Sequence, residues 1–104
     1  MKHLKNLHLV TSVTPHRISL AGGATDLPKF YTKNGGRFIS ATINKFIYVT
    51  VKKHDVFNKK FRIMYSKTEN KNTINSIEND IVRCCLKFLK LDIPLLIFTS
   101  SDIP

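Results

Sequence analysis

From Ser76 to Leu91 the apolar residues return at helical spacing. Ile77, Ile81, Val82, Cys84, Cys85, Leu86, Phe88 and Leu89 fill one broad side of a helix, and Asn79, Asp80, Arg83, Lys87 and Lys90 collect on the other. A helix that is apolar over half its circumference must lie against another layer, here the face of a sheet. Ile81, Cys85 and Phe88 are expected to make that contact. Ser76 is the expected N-cap. Glu78 and Asp80 in the first turn and Lys87 and Lys90 near the end suit the helix dipole, and Asp92-Ile93-Pro94 breaks the helix.

The rest of the chain supplies strands for such a sheet. Leu7 to Leu20 reads as an extended segment, in which Thr11, Thr14 and Pro15 disfavour helix. Paired glycines at Gly22-Gly23 break it with a tight turn or loop. Thr25-Asp26-Leu27-Pro28 starts a short helix with Leu27, Phe30 and Tyr31 on its apolar side, and Asn34-Gly35-Gly36 ends it with a left-handed cap. Arg37 to Lys53 is the clearest strand region. Ile39, Ala41, Ile43, Ile47, Val49 and Val51 share one parity, while Lys45 interrupts that face and suggests a bend or bulge. His54 to Lys60 reads as a hairpin connection and Phe61 to Ser66 as the returning strand. Lys67 to Asn75 is polar and reads as a loop, and Leu95 to Thr99 is a short buried strand. The order strand, short helix, strand, strand, helix, strand describes an α+β domain.

A chain of 104 residues allows one domain. It contains no apolar run long enough to span a bilayer. Its basic opening is not followed by a long apolar stretch, so no signal peptide is expected and the cytoplasm is the expected location. The net charge of +10 has three readings: a solvated basic surface, a nucleic-acid footprint, or charge that serves a phosphorylated substrate or nucleotide. No nucleic-acid motif accompanies the lysines. Adjacent Cys84 and Cys85 make a poor disulfide and lack nearby metal ligands, so buried, reduced thiols are expected. His3, His8, His16 and His54 share no metal or triad spacing and are expected at the surface or rim.

Thr14 to Pro28 is the stretch most suited to chemistry. It puts a cation, Arg17, on a strand, then a flexible Gly22-Gly23, then the Thr25 hydroxyl and the Asp26 carboxylate. A Gly-rich turn lets a ligand approach the backbone. A carboxylate accepts hydrogen bonds from sugar hydroxyls, and a nearby Arg stabilises negative charge in phosphoryl transfer. Asp26 could equally serve as a helix N-cap, with Gly22-Gly23 a plain turn.

The segment Arg17-Ile18-Ser19-Leu20-Ala21-Gly22-Gly23-Ala24-Thr25-Asp26-Leu27-Pro28 resembles the first signature motif of the GHMP kinases, and most closely that of the D-glycero-D-manno-heptose 7-phosphate kinase branch. The likeness continues through Phe30-Tyr31, Gly35-Gly36, Ser40 to Lys45, Tyr48 to Val51, Tyr65 to Glu69 and Ile81-Val82-Arg83, and covers about Pro15 to Pro104. It implies a GHMP-kinase N-terminal type of α+β domain, with a mixed or antiparallel sheet and helices packed on one face. It implies that Asp26 binds sugar hydroxyls, that Arg17 is a catalytic charge near the phosphoryl acceptor, and that Gly22, Gly23 and Thr25 shape the same pocket. Ala24 stands where this branch usually has a third glycine, and Leu20 where Phe is common. In the family, Asp-Ile-Pro leads into a loop that cradles the ATP phosphates. By that resemblance residues 1–104 are expected to form an incomplete N-terminal domain ending before the loop. ATP and Mg are then cofactors of the parent kinase, and neither is expected to bind this chain tightly. The expected partner is a small sugar phosphate, with no membrane, no nucleic acid, and self-association through unpaired edges. The alternative reading is a small basic nucleic-acid-binding module.

Overall fold

The computed structural model describes residues 8–54 and 59–104. In chain order the elements are β1 (Leu9–Ala21), α1 (Pro28–Asn34), β2 (Ile39–Lys53), β3 (Phe61–Met64), β4 (Thr68–Lys71), α2 (Asp80–Leu89) and β5 (Leu95–Ser101), with short 3-10 turns at Gly23–Asp26 and Ile74–Ser76. The strands form one mixed five-stranded sheet in the order β1-β2-β5-β3-β4, which makes the fold α+β. By its contacts the chain divides into two compact units. The first takes the residues up to Val13 and Tyr48–Ser100, and the second takes Thr14–Ile47 and Ser101–Pro104.

The first unit holds the core. Phe61, Ile63, Leu95 and Ile97 alternate along β3 and β5 and are buried on one sheet face with Ile77 and Leu86. β3 and β5 run parallel, with Ile63 opposite Ile97. Because β5 lies between β2 and β3, the expected β2–β3 hairpin does not form. Its expected tip, 55–58, lies outside the described residues, as does Leu7 at the start of the first extended segment. The hairpin falls one strand later: β3 pairs antiparallel with β4 through a turn closed by Tyr65 N–H donating to Lys67 O at 2.9 Å. The polar stretch expected to be a loop therefore contains an edge strand. Polar residues are tolerated there because much of an edge faces water.

Glu69 is the buried residue of β4. It is 4% exposed. Its carboxylate accepts from the Tyr65 hydroxyl at 2.6 Å and from the backbone N–H groups of Glu78 at 2.7 Å and Asn79 at 3.0 Å. Burial pushes its pKa up, but these three donors outweigh burial and hold the group below its ordinary 4.5. They also tie the strand to the start of α2. The N-cap of α2 is Asn79, whose side chain accepts from Val82 N–H at 3.1 Å; Ser76 lies in the preceding 3-10 turn. Lys90 ends the helix in a left-handed conformation, φ 52°.

The face that α2 turns to the core also differs from the expected one. Leu86 is buried and Val82 packs beside it, whereas Ile81 and Phe88 are exposed, as are Cys84 and Cys85. The wheel was apolar on both sides of this contact, and periodicity alone does not choose between them. The two thiols are free, and exposed rather than buried. His54 is buried rather than at the surface.

In the second unit none of the described residues is buried. Its parts are joined by polar contacts. Asp102 accepts from Phe46 N–H at 2.8 Å through its carboxylate and donates its own N–H to Phe46 O at 2.9 Å. His16 Nε2 lies 2.8 Å from Ser101 Oγ. β2 runs as one strand from Ile39 to Lys53 through Asn44-Lys45.

Candidate sugar-binding site

The turn after β1 is built around Gly22. Its φ is +80°, and a Cβ there would lie 2.1 Å from Arg37 O, so both conformation and space demand glycine. The Thr25 hydroxyl closes the same loop. Thr25 Oγ1 lies 2.7 Å from Gly22 O and 2.8 Å from Arg37 O, with one hydrogen to give to the two carbonyls, and it accepts from Arg37 N–H at 3.1 Å. Gly36 allows the opposing backbone to approach, since a Cβ on it would lie 2.7 Å from Thr25 O. The segment Gly22–Asp26 is thus clamped to Gly36–Arg37 by groups that no ligand needs to supply.

This clamp changes the part that Asp26 can play. The residue closes the 3-10 turn, and α1 begins two residues later at Pro28 with Leu27 as its N-cap and no side-chain cap. The capping role open to Asp26 in the sequence is therefore not taken. Its side chain is exposed and has no hydrogen-bond or ion-pair partner among the described residues. It lines an open cavity of about 360 Å³ with Thr25, Tyr31, Gly36 and Phe38. A carboxylate beside aromatic rings on an anchored loop can accept hydrogen bonds from the hydroxyls of a sugar while the rings cover its apolar face.

Arg17 projects from β1 over the Phe38 ring, its guanidinium carbon 5.6 Å from the ring centroid, in cation–π range. It stands next to one wall of the cavity without lining it. Gly23 does not line the cavity either; a Cβ on it would lie 3.1 Å from Ser19 Oγ. Of the residues singled out from the sequence, Thr25 and Asp26 meet at the cavity, Arg17 reaches its rim through Phe38, and Gly22 and Gly23 shape the turn behind it. Tyr31, Gly36 and Phe38 were not singled out as site residues. The Gly35-Gly36 pair was the available signal for the second wall. Among the described residues, no three His, Cys, Asp or Glu side chains are placed to hold a metal ion.

No family model matches the chain, and no curated protein matches it. Solved structures do. A D-glycero-D-manno-heptose 1-phosphate kinase from Bacteriodes thetaiotaomicron superimposes with a TM-score of 0.68 at 22% identity, over 92% of this chain and 34% of that one. A candidate sugar kinase from Campylobacter jejuni superimposes with a TM-score of 0.63 at 25% identity, over 95% of this chain and 35% of that one. The chain therefore spans about a third of the length of the structures it matches. Its five-stranded mixed sheet and two helices are part of a sugar-kinase fold.

Proposed function

We propose that this chain is the acceptor-binding part of an ATP-dependent sugar kinase, with a heptose or hexose phosphate as its sugar. The observation that carries this reading is the Asp26 carboxylate, left without a partner among the described residues on a loop that other groups hold in place. Asp26 accepts hydrogen bonds from sugar hydroxyls. Tyr31 and Phe38 border the ring, and Arg17 supplies positive charge on the acceptor side. Gly22, Gly23 and Thr25 position Asp26. ATP with Mg supplies the phosphoryl group in this reading. The heptose 1-phosphate kinase among the matched structures supports a heptose phosphate as the first acceptor to try.

The test is titration of the chain with heptose phosphates, followed by calorimetry or by amide shifts at residues 22–38. Asp26→Asn should weaken binding about tenfold or more, by loss of a charge-assisted hydrogen bond. It should change stability by less than about 0.5 kcal/mol, since the side chain is exposed. Equal affinity for wild type and variant would remove Asp26 from the site.

A further inference from the structure

Another cavity lies wholly within the first unit. It opens between the start of β3, the 3-10 turn Ile74–Ser76 and the end of α2, and holds about 550 Å³. Lys60, Lys87 and Lys90 all line it, against the single carboxylate of Asp92. Lys60 Nζ lies 2.9 Å from Asp92 Oδ1, which leaves Lys87 and Lys90 without a counter-charge. Neither ammonium has a hydrogen-bond or ion-pair partner among the described residues, and the side-chain amides of Asn72 and Asn75 in the same lining have none either. The backbone behind these groups is fixed. Lys90 N–H donates to Lys87 O at 3.1 Å, Leu91 N–H to Leu86 O at 3.0 Å, and Leu95 N–H to Lys60 O at 2.9 Å. Lys90 is the one non-glycine residue with positive φ among the described residues, and it stands where a helix end usually has glycine. The helix dipole accounts for lysines at this end of α2. It does not account for Lys60, which enters from the start of β3, or for the two unpartnered amides.

We propose that this cavity binds a small phosphate monoester, at a site separate from the one at Asp26 and independent of the sugar-kinase reading. Charge is the first reason. Three ammonium groups against one carboxylate leave two positive charges, and a phosphate monoester carries about −2 at pH 7. Hydrogen bonding is the second. Ammonium and amide N–H groups donate to phosphate oxygens, and the amide carbonyls of Asn72 and Asn75 accept from hydroxyls on the rest of the molecule. Leu86 and Ile74 complete the lining with apolar surface for its carbon skeleton. Size is the third, since small-molecule sites enclose roughly 300–1,000 Å³. A nucleic-acid strand would instead want aromatic side chains on which to stack its bases, and no residue lining the cavity is aromatic.

The test is a titration followed by amide shifts, residue by residue, with glucose 6-phosphate and adenosine monophosphate as ligands and glucose and adenosine as uncharged controls. It is run at about 150 mM salt, where diffuse attraction is screened beyond roughly 8 Å. Both esters should shift the amides at 72–75 and 86–92 saturably, and the controls should not. Lys87→Gln together with Lys90→Gln should weaken binding about tenfold or more, by loss of two charge-assisted contacts. The urea midpoint of that variant should hardly move, since both side chains are exposed. Lys90→Gly separates a ligand contact from a structural role. Glycine relieves the left-handed backbone, so the midpoint should rise while binding weakens. Lys90→Arg should keep binding. Asp26→Asn should leave the shifts at 72–75 and 86–92 unchanged, so this site and the one at Asp26 succeed or fail separately. Three results overturn the proposal: no saturable shift at those residues, equal affinity for wild type and the double variant, or equal binding of the uncharged controls. A single-stranded oligonucleotide that binds these residues more tightly than either ester would also overturn it, in favour of a nucleic-acid surface.

Discussion

At Gly22 one hydrogen atom in place of a methyl group decides whether the candidate site can exist. The φ of +80° and the 2.1 Å approach to Arg37 O leave no room for a side chain. Gly22→Ala should therefore cost at least about 2 kcal/mol of stability, read from urea midpoints, because left-handed strain and a backbone clash add together. A cost below about 0.5 kcal/mol would mean that the turn relaxes freely and is not a clamp. Glu69 provides the second test at this scale. Its folded-state pKa lies below the ordinary 4.5, so the protonated form is disfavoured by folding. Its stabilising contribution is thus fully present above pH 4.5 and is lost as pH falls through the lower folded value. Glu69→Gln should destabilise the chain at pH 7 by roughly 1–3 kcal/mol, by weakening the bonds to Glu78 N–H and Asn79 N–H. The variant should also lose less stability than wild type as the pH is taken below 4.5. Parallel acid titration curves for the two would refute this account.

At the scale of the element, α2 shows how a broad apolar wheel resolves. The helix needs one face for the sheet, and the structure gives that place to Val82 and Leu86, with Leu91 just beyond its end. Leu86→Ala should cost about 2–5 kcal/mol, the range for deleting a buried leucine. Ile81→Asp should shift the urea midpoint hardly at all, because a charge at an exposed site is not desolvated. The opposite pattern would show that the helix is rotated from the orientation described. The surroundings of α2 are locally consistent. Asn79 caps it, Arg83 pairs with Asp80, and Lys67 and Lys71 pair with Glu78. These exposed pairs add little stability, and the buried side chains set the orientation.

At the scale of the whole molecule, burial is unevenly shared. The fully buried side chains Phe61, Ile63 and Ile77 all belong to the first unit, while the second is held by its turn clamp and by polar contacts such as those of Asp102 with Phe46. Amide exchange should follow that division. The amides of β3 and β5 around Ile63 and Ile97 should exchange most slowly, and those of α1, which buries no residue, much faster. Protection of α1 equal to that of β3 would contradict it.

What the sequence determined by itself was local. Parity along Ile47-Val49-Val51 made a strand, Pro28 and Gly35 bounded a short helix, and Leu95-Leu96-Ile97 had to be interior. The stretch from Arg17 to Asp26 stood out as a candidate site through its resemblance to a kinase motif, and Thr25 and Asp26 line one cavity. Other outcomes depended on partners distant in the chain. β5 inserted itself between β2 and β3, which no local pattern announces, because strand neighbours are chosen by packing and hydrogen bonding over long separations. β4 became a strand through its pairing with β3 despite a polar sequence. Asp26 was released from capping by the Gly23–Asp26 turn, and Thr25 was drawn onto Arg37, twelve residues away. Which side of α2 met the sheet was likewise settled in three dimensions. The wheel offered two apolar faces, and the space above Phe61, Ile63 and Ile97 accepted the one that carries Leu86.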